Sequence, residues 1–136
     1  AETLLREVVS SSPEMYDVHY SLGLLLAERG RHAMAVHHLQ LAAGGMPDAA
    51  RVHYNLGLLL QILNEDAGAE SALLKARALE PDNLDVLYAL TDHYLKRNNF
   101  QDARAMAENM IAAHPDEPLG HDLLELIEEA SGRAHQ

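Results

Sequence analysis

Nine histidines, a run of three serines and several paired carboxylates are the residues of this chain with the most obvious capacity for chemistry, so their spacing is weighed first. His19, His53 and His121 recur at multiples of 34 residues, which puts them on successive structural elements. His32, His37 and His38 form the tightest cluster, but adjacent positions of a helix point in different directions. There is no cysteine, and no set of acidic residues completes a tetrahedral shell, so a metal centre is not indicated; the histidines read as exposed or partly packed side chains. Ser10, Ser11 and Ser12 precede Pro13, a context for ending a helix rather than for activating a nucleophile. Glu65-Asp66 and Glu128-Glu129 read as solvated helix faces, and no glycine-rich phosphate loop is present. The reading is of a chain that is not an enzyme, uses no cofactor and binds no metal. Its useful chemistry is that of recognition: tyrosines, an asparagine and charges repeated at one spacing.

That spacing is the main feature of the sequence. Val18-His19-Tyr20-Ser21-Leu22-Gly23-Leu24-Leu25-Leu26 returns as Val52-His53-Tyr54-Asn55-Leu56-Gly57-Leu58-Leu59-Leu60, eight of nine residues identical at an offset of 34. The same offset carries Pro13 to Pro47, Pro81 and Pro115, and Leu22 to Leu56, Leu90 and Leu124. Within each period, apolar residues at helical spacing predict two amphipathic helices, over 16–29 and 33–44, 50–63 and 67–79, and 84–97 and 100–113, followed by one more over 118–131. Gly30, Asn64 and Asn98 sit between the two helices of their periods, and these residue types best tolerate the left-handed backbone that closes a helix. Asp48, Asp82 and Asp116 follow the prolines and are expected to cap the next helix; Gly44-Gly45 is expected to end its helix early and loosen the joint.

Composition agrees. Hydrophobic residues make up 48% and aromatics 4%, with much Leu and Ala, which favours an all-α chain. The formal net charge of -11 repels phosphate backbones and anionic lipid, which argues against nucleic acid or membrane partners and leans toward a basic one. No apolar run approaches the length of a membrane span.

The pattern Leu22-Gly23, Ala35, Ala42, Pro47, repeated as Leu56-Gly57, Ala69, Ala76, Pro81 and in part as Leu90, Tyr94, Ala103, Pro115, resembles the tetratricopeptide repeat, TPR. The resemblance implies a right-handed superhelical stack of antiparallel helix hairpins, an α-solenoid. It divides the chain into the second helix of a truncated repeat (1–15), three repeats (16–49, 50–83, 84–117) and a solvating cap helix with its tail (118–136). Departures fall in the third repeat, where Thr91, Ala107 and Met110 replace the usual Gly, bulky residue and Ala, so that hairpin is expected to pack differently. In the cap, Leu124 holds the register, while Glu125 and Glu128 suit a face left in water.

In this family the first helices line a concave groove, here about 40 Å long, room for roughly ten extended residues. The implied contacts are Asp17, Tyr20, Ser21, Leu24 and Ala27, then Arg51, Tyr54, Asn55, Leu58 and Gln61, then Asp85, Tyr88, Ala89, Asp92 and Leu95. Tyr20, Tyr54 and Tyr88 are expected to form a ladder, and Asn55 stands where peptide-binding members place an asparagine on the ligand backbone. The lysines and arginines of a carboxylate clamp are missing from their slots, while Asp85 and Asp92 favour a ligand with Lys or Arg at one end. The expected function is a protein-protein interaction module or scaffold taking a peptide or protein segment. Two alternatives stand beside it: a docking or regulatory appendage of a larger enzyme or multihaem cytochrome, and a self-association module built on the unpaired helix 1–11, with Ala1, Leu5 and Val8 in its packing slots. The chain reads as a fragment of a larger protein.

Overall fold

The structure is a computed structural model that describes residues 15–134. The truncated repeat helix, its packing residues and the Ser10–Pro13 segment lie outside the described residues. Among those described there are seven helices and no strand: α1 Tyr16–Glu28, α2 His32–Gly45, α3 Ala50–Ile62, α4 Asp66–Leu79, α5 Leu84–Lys96, α6 Phe100–Ala113 and α7 Leu119–Ala134. The fold is an all-α solenoid of helix hairpins, in two compact units that divide after Leu79.

The turns follow from local chemistry. Gly30, Asn64 and Asn98 have φ of 77, 59 and 58°, the left-handed region anticipated for them. Each is the closing residue of a Schellman motif. After α1, Arg31 N–H donates to Leu26 O (2.9 Å) and Gly30 N–H to Ala27 O (3.0 Å); Glu65 and Asn64 do the same after α3, and Asn99 and Asn98 after α5. The Pro-Asp pairs behave otherwise than expected. Pro47-Asp48, Pro81-Asp82 and Pro115-Asp116 are the central residues of β-turns closed by Ala49 N–H to Met46 O, Asn83 N–H to Glu80 O and Glu117 N–H to His114 O. Asp48 and Asp82 sit one residue, and Asp116 two residues, ahead of the position that could cap. Asn83 caps α5, accepting from Val86 N–H, while α3 starts at Ala49 with no side-chain cap.

In the first unit, Leu22, Leu26, Leu39, Leu56, Leu59 and Leu60 of α1 to α3 join Ala35, Val36, Ala69 and Ala72 in one core. A buried leucine contributes about 1.5–3 kcal/mol, so this cluster dominates the unit's stability. Each hairpin closes on a glycine. A Cβ on Gly23 would lie 3.0 Å from Leu39 Cγ, and one on Gly57 would lie 2.7 Å from Leu73 Cγ. Gly44 and Gly45 do not end α2 early: the helix runs through Gly45, whose missing side chain leaves room for the Tyr16 ring. The glycine tightens that joint.

In the second unit the hairpin of α5 and α6 uses a different solution. Thr91, Ala107 and Met110 are all buried, and the Thr91 hydroxyl donates to Leu87 O at 2.7 Å, its oxygen 3.8 Å from Met110 Sδ. α7 packs on α6, where a Cβ on Gly120 would meet Ile111 Cγ1 at 2.9 Å, and Leu123 and Ile127 of α7 are buried. Leu124, though in register with Leu90, is only half-buried, because among the described residues no following helix covers that side of α7. Glu125 is exposed, but Glu128 is not left to water alone: its carboxylate accepts from Arg104 Nε at 2.8 Å.

Candidate ligand-binding face

The repeat register puts Asp17, Tyr20, Ser21 and Leu24 on one face of α1, and Arg51, Tyr54, Asn55, Leu58 and Gln61 on the corresponding face of α3. Asp17, Ser21 and Arg51 are exposed; Tyr20, Leu24, Ala27, Tyr54, Asn55, Leu58 and Gln61 are half-buried. The two faces meet. Asn55 Nδ2 donates to Tyr20 Oη at 2.8 Å and to Arg51 O at 3.0 Å, and the Arg51 guanidinium lies over the Tyr20 ring, 5.3 Å from its centroid.

This cluster has a defined donor and acceptor pattern. A backbone carbonyl can only accept, so the Arg51 contact fixes the amide nitrogen of Asn55 on that side. Both amide protons are then committed. Asn55 Oδ1 is left without a protein partner and open to solvent, and the Tyr20 hydroxyl, already an acceptor, keeps its own proton to donate. Tyr20 also packs on the apolar core of its unit, so it is both a structural and a surface residue.

The second unit carries the remaining positions. Asp85 is exposed, Tyr88 is 43% exposed, and Asp92 and Leu95 are half-buried. Ala89 is only 5% exposed, which removes it from the contacts expected of α5. Asp92 holds Lys96 at 2.9 Å, one helical turn on, and that hydrogen bond and charge raise the lysine above its ordinary pKa. The acidity of α5 is thus partly offset from within the helix. Tyr20, Tyr54 and Tyr88 do not share one environment, the first tied into a polar cluster and the last standing largely in solvent.

The histidines are more structural than their spacing suggested. His19, His53 and His93 are buried. His53 Nε2 donates to Pro47 O at 2.9 Å, and His114 Nε2 donates to Asp82 O, each fastening a Pro-Asp turn. His19 stacks on His38 with centroids 5.4 Å apart. Sequence reading missed these staples, although a histidine six residues after the turn proline was the available signal at His53. Among the described residues no three His, Asp or Glu side chains converge as a metal would require, and no helix is long and apolar enough to cross a membrane.

Comparison with known proteins bears on the fold. Two family models described as tetratricopeptide repeat match residues 65–127 and 1–44. A crystal structure of MamA protein superposes with a TM-score of 0.89 at 23% identity, covering 97% of this chain and 72% of that one. A second MamA crystal structure gives 0.88 at 22% identity, covering 96% and 77%. The first TPR of Spaghetti (RPAP3), bound to the HSP90 peptide SRMEEVD, gives 0.75 at 17% identity, covering 85% and 91%. No curated protein sequence matches significantly. Neither matching model is that of a catalytic family. With the 34-residue period, the glycine-closed hairpins and the matches at both ends of the sequence, the chain belongs to the tetratricopeptide repeat family.

Proposed function

We propose that this chain is a protein-protein interaction module, not a catalyst, and that its first helices hold an extended peptide or protein segment. The observation that carries the reading is the Tyr20–Asn55 pair. It leaves one hydroxyl donor and one amide acceptor side by side, the complement of the C=O and N–H of a peptide unit. Half-buried Leu24, Tyr54 and Leu58 supply apolar area beside it, and exposed Asp17 and Ser21 a polar rim. The RPAP3 domain of similar fold holds a peptide, and the same mode of use is proposed here. On α5, Asp85 and the exposed Tyr88 ring suit a ligand Lys or Arg, by charge and by the ring face together.

The test compares the native chain with the Tyr54→Ala/Asn55→Ala variant in affinity capture from cell extract, with far-UV circular dichroism to verify folding. Loss of a captured protein by a variant of undiminished helicity supports the reading. Capture of the same proteins by both forms refutes it, and a melted variant assigns these side chains to the core instead.

A further inference from the structure

The cluster that fixes Tyr20 also sets out a cation. Arg51 is exposed, and among the described residues it has no ion-pair partner, even on a chain of net charge -11. Asp17, on the neighbouring face of α1, does not take it. The guanidinium instead lies over the Tyr20 ring, which is itself held by Asn55. The contact with the ring restrains the guanidinium while leaving its N–H donors unspent, so less freedom is lost when a planar anion binds them.

We infer that Arg51, on the Tyr20 ring, is a subsite for the side-chain carboxylate of an Asp or Glu within the bound segment. The inference rests on the peptide-binding reading above and adds the side-chain chemistry that this unit selects. The neighbours of Arg51 decide between carboxylate sources. Asn55 Oδ1 is an acceptor open to solvent, suited to a backbone N–H from the interior of a chain and repulsive to a terminal carboxylate in the same place. The Tyr20 hydroxyl donor fits the carbonyl of that interior unit. The carboxylate reaching Arg51 therefore belongs to a side chain, and the contact lies apart from the clamp positions that here lack Lys and Arg. The preference concerns α1 and α3 alone and is separate from any basic residue taken by Asp85.

The experiment uses the 136-residue chain and pools of peptides blocked at both ends, random except for a central residue fixed as Glu, Gln or Lys. A further pool lacks Asp and Glu but has a free C-terminus. The Glu pool should bind about fivefold tighter than the Gln pool, the scale of an exposed ion pair. This ratio should fall toward one at high salt and in Arg51→Gln. The Arg51 Nε–Hε resonance should shift with the Glu pool and stay in place with the Gln pool. Equal binding of the Glu and Gln pools, or a Glu preference that survives Arg51→Gln, overturns the subsite while leaving the peptide-binding reading intact. Tighter binding of the free C-terminus pool overturns it in favour of a terminal carboxylate. If no pool binds, the peptide-binding reading fails and the subsite fails with it.

Discussion

The hairpins of the first unit and the α5–α6 hairpin of the second close the same kind of helix contact with opposite distributions of bulk. In the first, the glycine is on the leading helix and the leucine on the returning one, Gly23 against Leu39 and Gly57 against Leu73. In the second, the repeat-equivalent positions are Thr91 and Ala107, and the next packing position, Ala42 or Ala76 in the first unit, becomes Met110. The leading helix has gained a hydroxyl and two heavy atoms more than glycine's neighbour can accept in the first unit, while the returning helix has given up a leucine at one position and gained a methionine at the next. Thr91 satisfies its buried hydroxyl on Leu87 O, so the exchange leaves no unpaired polar group. The contact is specified by the pair of residues, not by either one alone.

Transplanting the second solution into the first unit should produce the largest effect. Leu73→Ala should cost about 2–5 kcal/mol in urea unfolding followed by circular dichroism. Gly57→Thr should cost about 1–3 kcal/mol, because its Cβ falls 2.7 Å from Leu73 Cγ. The double variant should lose less than the sum of the two by about 0.5 kcal/mol or more, since each change removes the problem the other creates. Strict additivity would show that the two positions do not compensate. The turns should show a smaller effect. Asn98→Ala should cost about 1 kcal/mol for its left-handed backbone, whereas Asn98→Gly, which matches the residue at position 30, should stay near wild type. Equal losses for both would place the role of Asn98 in its side chain.

The smallest effect concerns the Asp92–Lys96 pair of the second unit, whose repeat-equivalent positions in the first unit, Leu58–Ile62 and Leu24–Glu28, cannot form an ion pair. Lys96 has its pKa raised in the folded chain, so its stabilisation is present in full below the ordinary value of 10.5 and is lost as pH rises through the raised one. Lys96 is largely exposed and screened, so Lys96→Met should remove only about 0.3 kcal/mol at neutral pH and flatten the alkaline side of the stability profile. An unchanged alkaline profile would deny the pair any energetic role.

Much of the backbone was legible in the sequence, because a fixed period and αL-tolerant residues act locally: the helices begin within one residue of the segments the periodicity predicts, and Gly30, Asn64 and Asn98 close them. What escaped depends on partners distant in sequence. Pro-Asp looked like a cap, but the proline's fixed φ nucleates a β-turn first, and at α5 the cap falls to Asn83, the residue after the aspartate. Gly45 looked like a break because Tyr16, which fills the space beside it, lies 29 positions earlier. Leu124 keeps the register of Leu90 but is only half-buried, since burial needs a covering helix as well as a position. At the candidate face, spacing placed Tyr20, Arg51 and Asn55 on the surfaces of two helices. It could not show that Asn55 spends both amide protons inside the protein, or that Arg51 lies on a ring.

The Schellman turns have a consequence in time as well as in energy. Each joins two helices through three residues, so the contacts of a hairpin, such as Leu22 with its returning partners, close only short loops. Chains whose contacts are mostly local fold quickly, and any hairpin can serve as the starting point from which its neighbours are added.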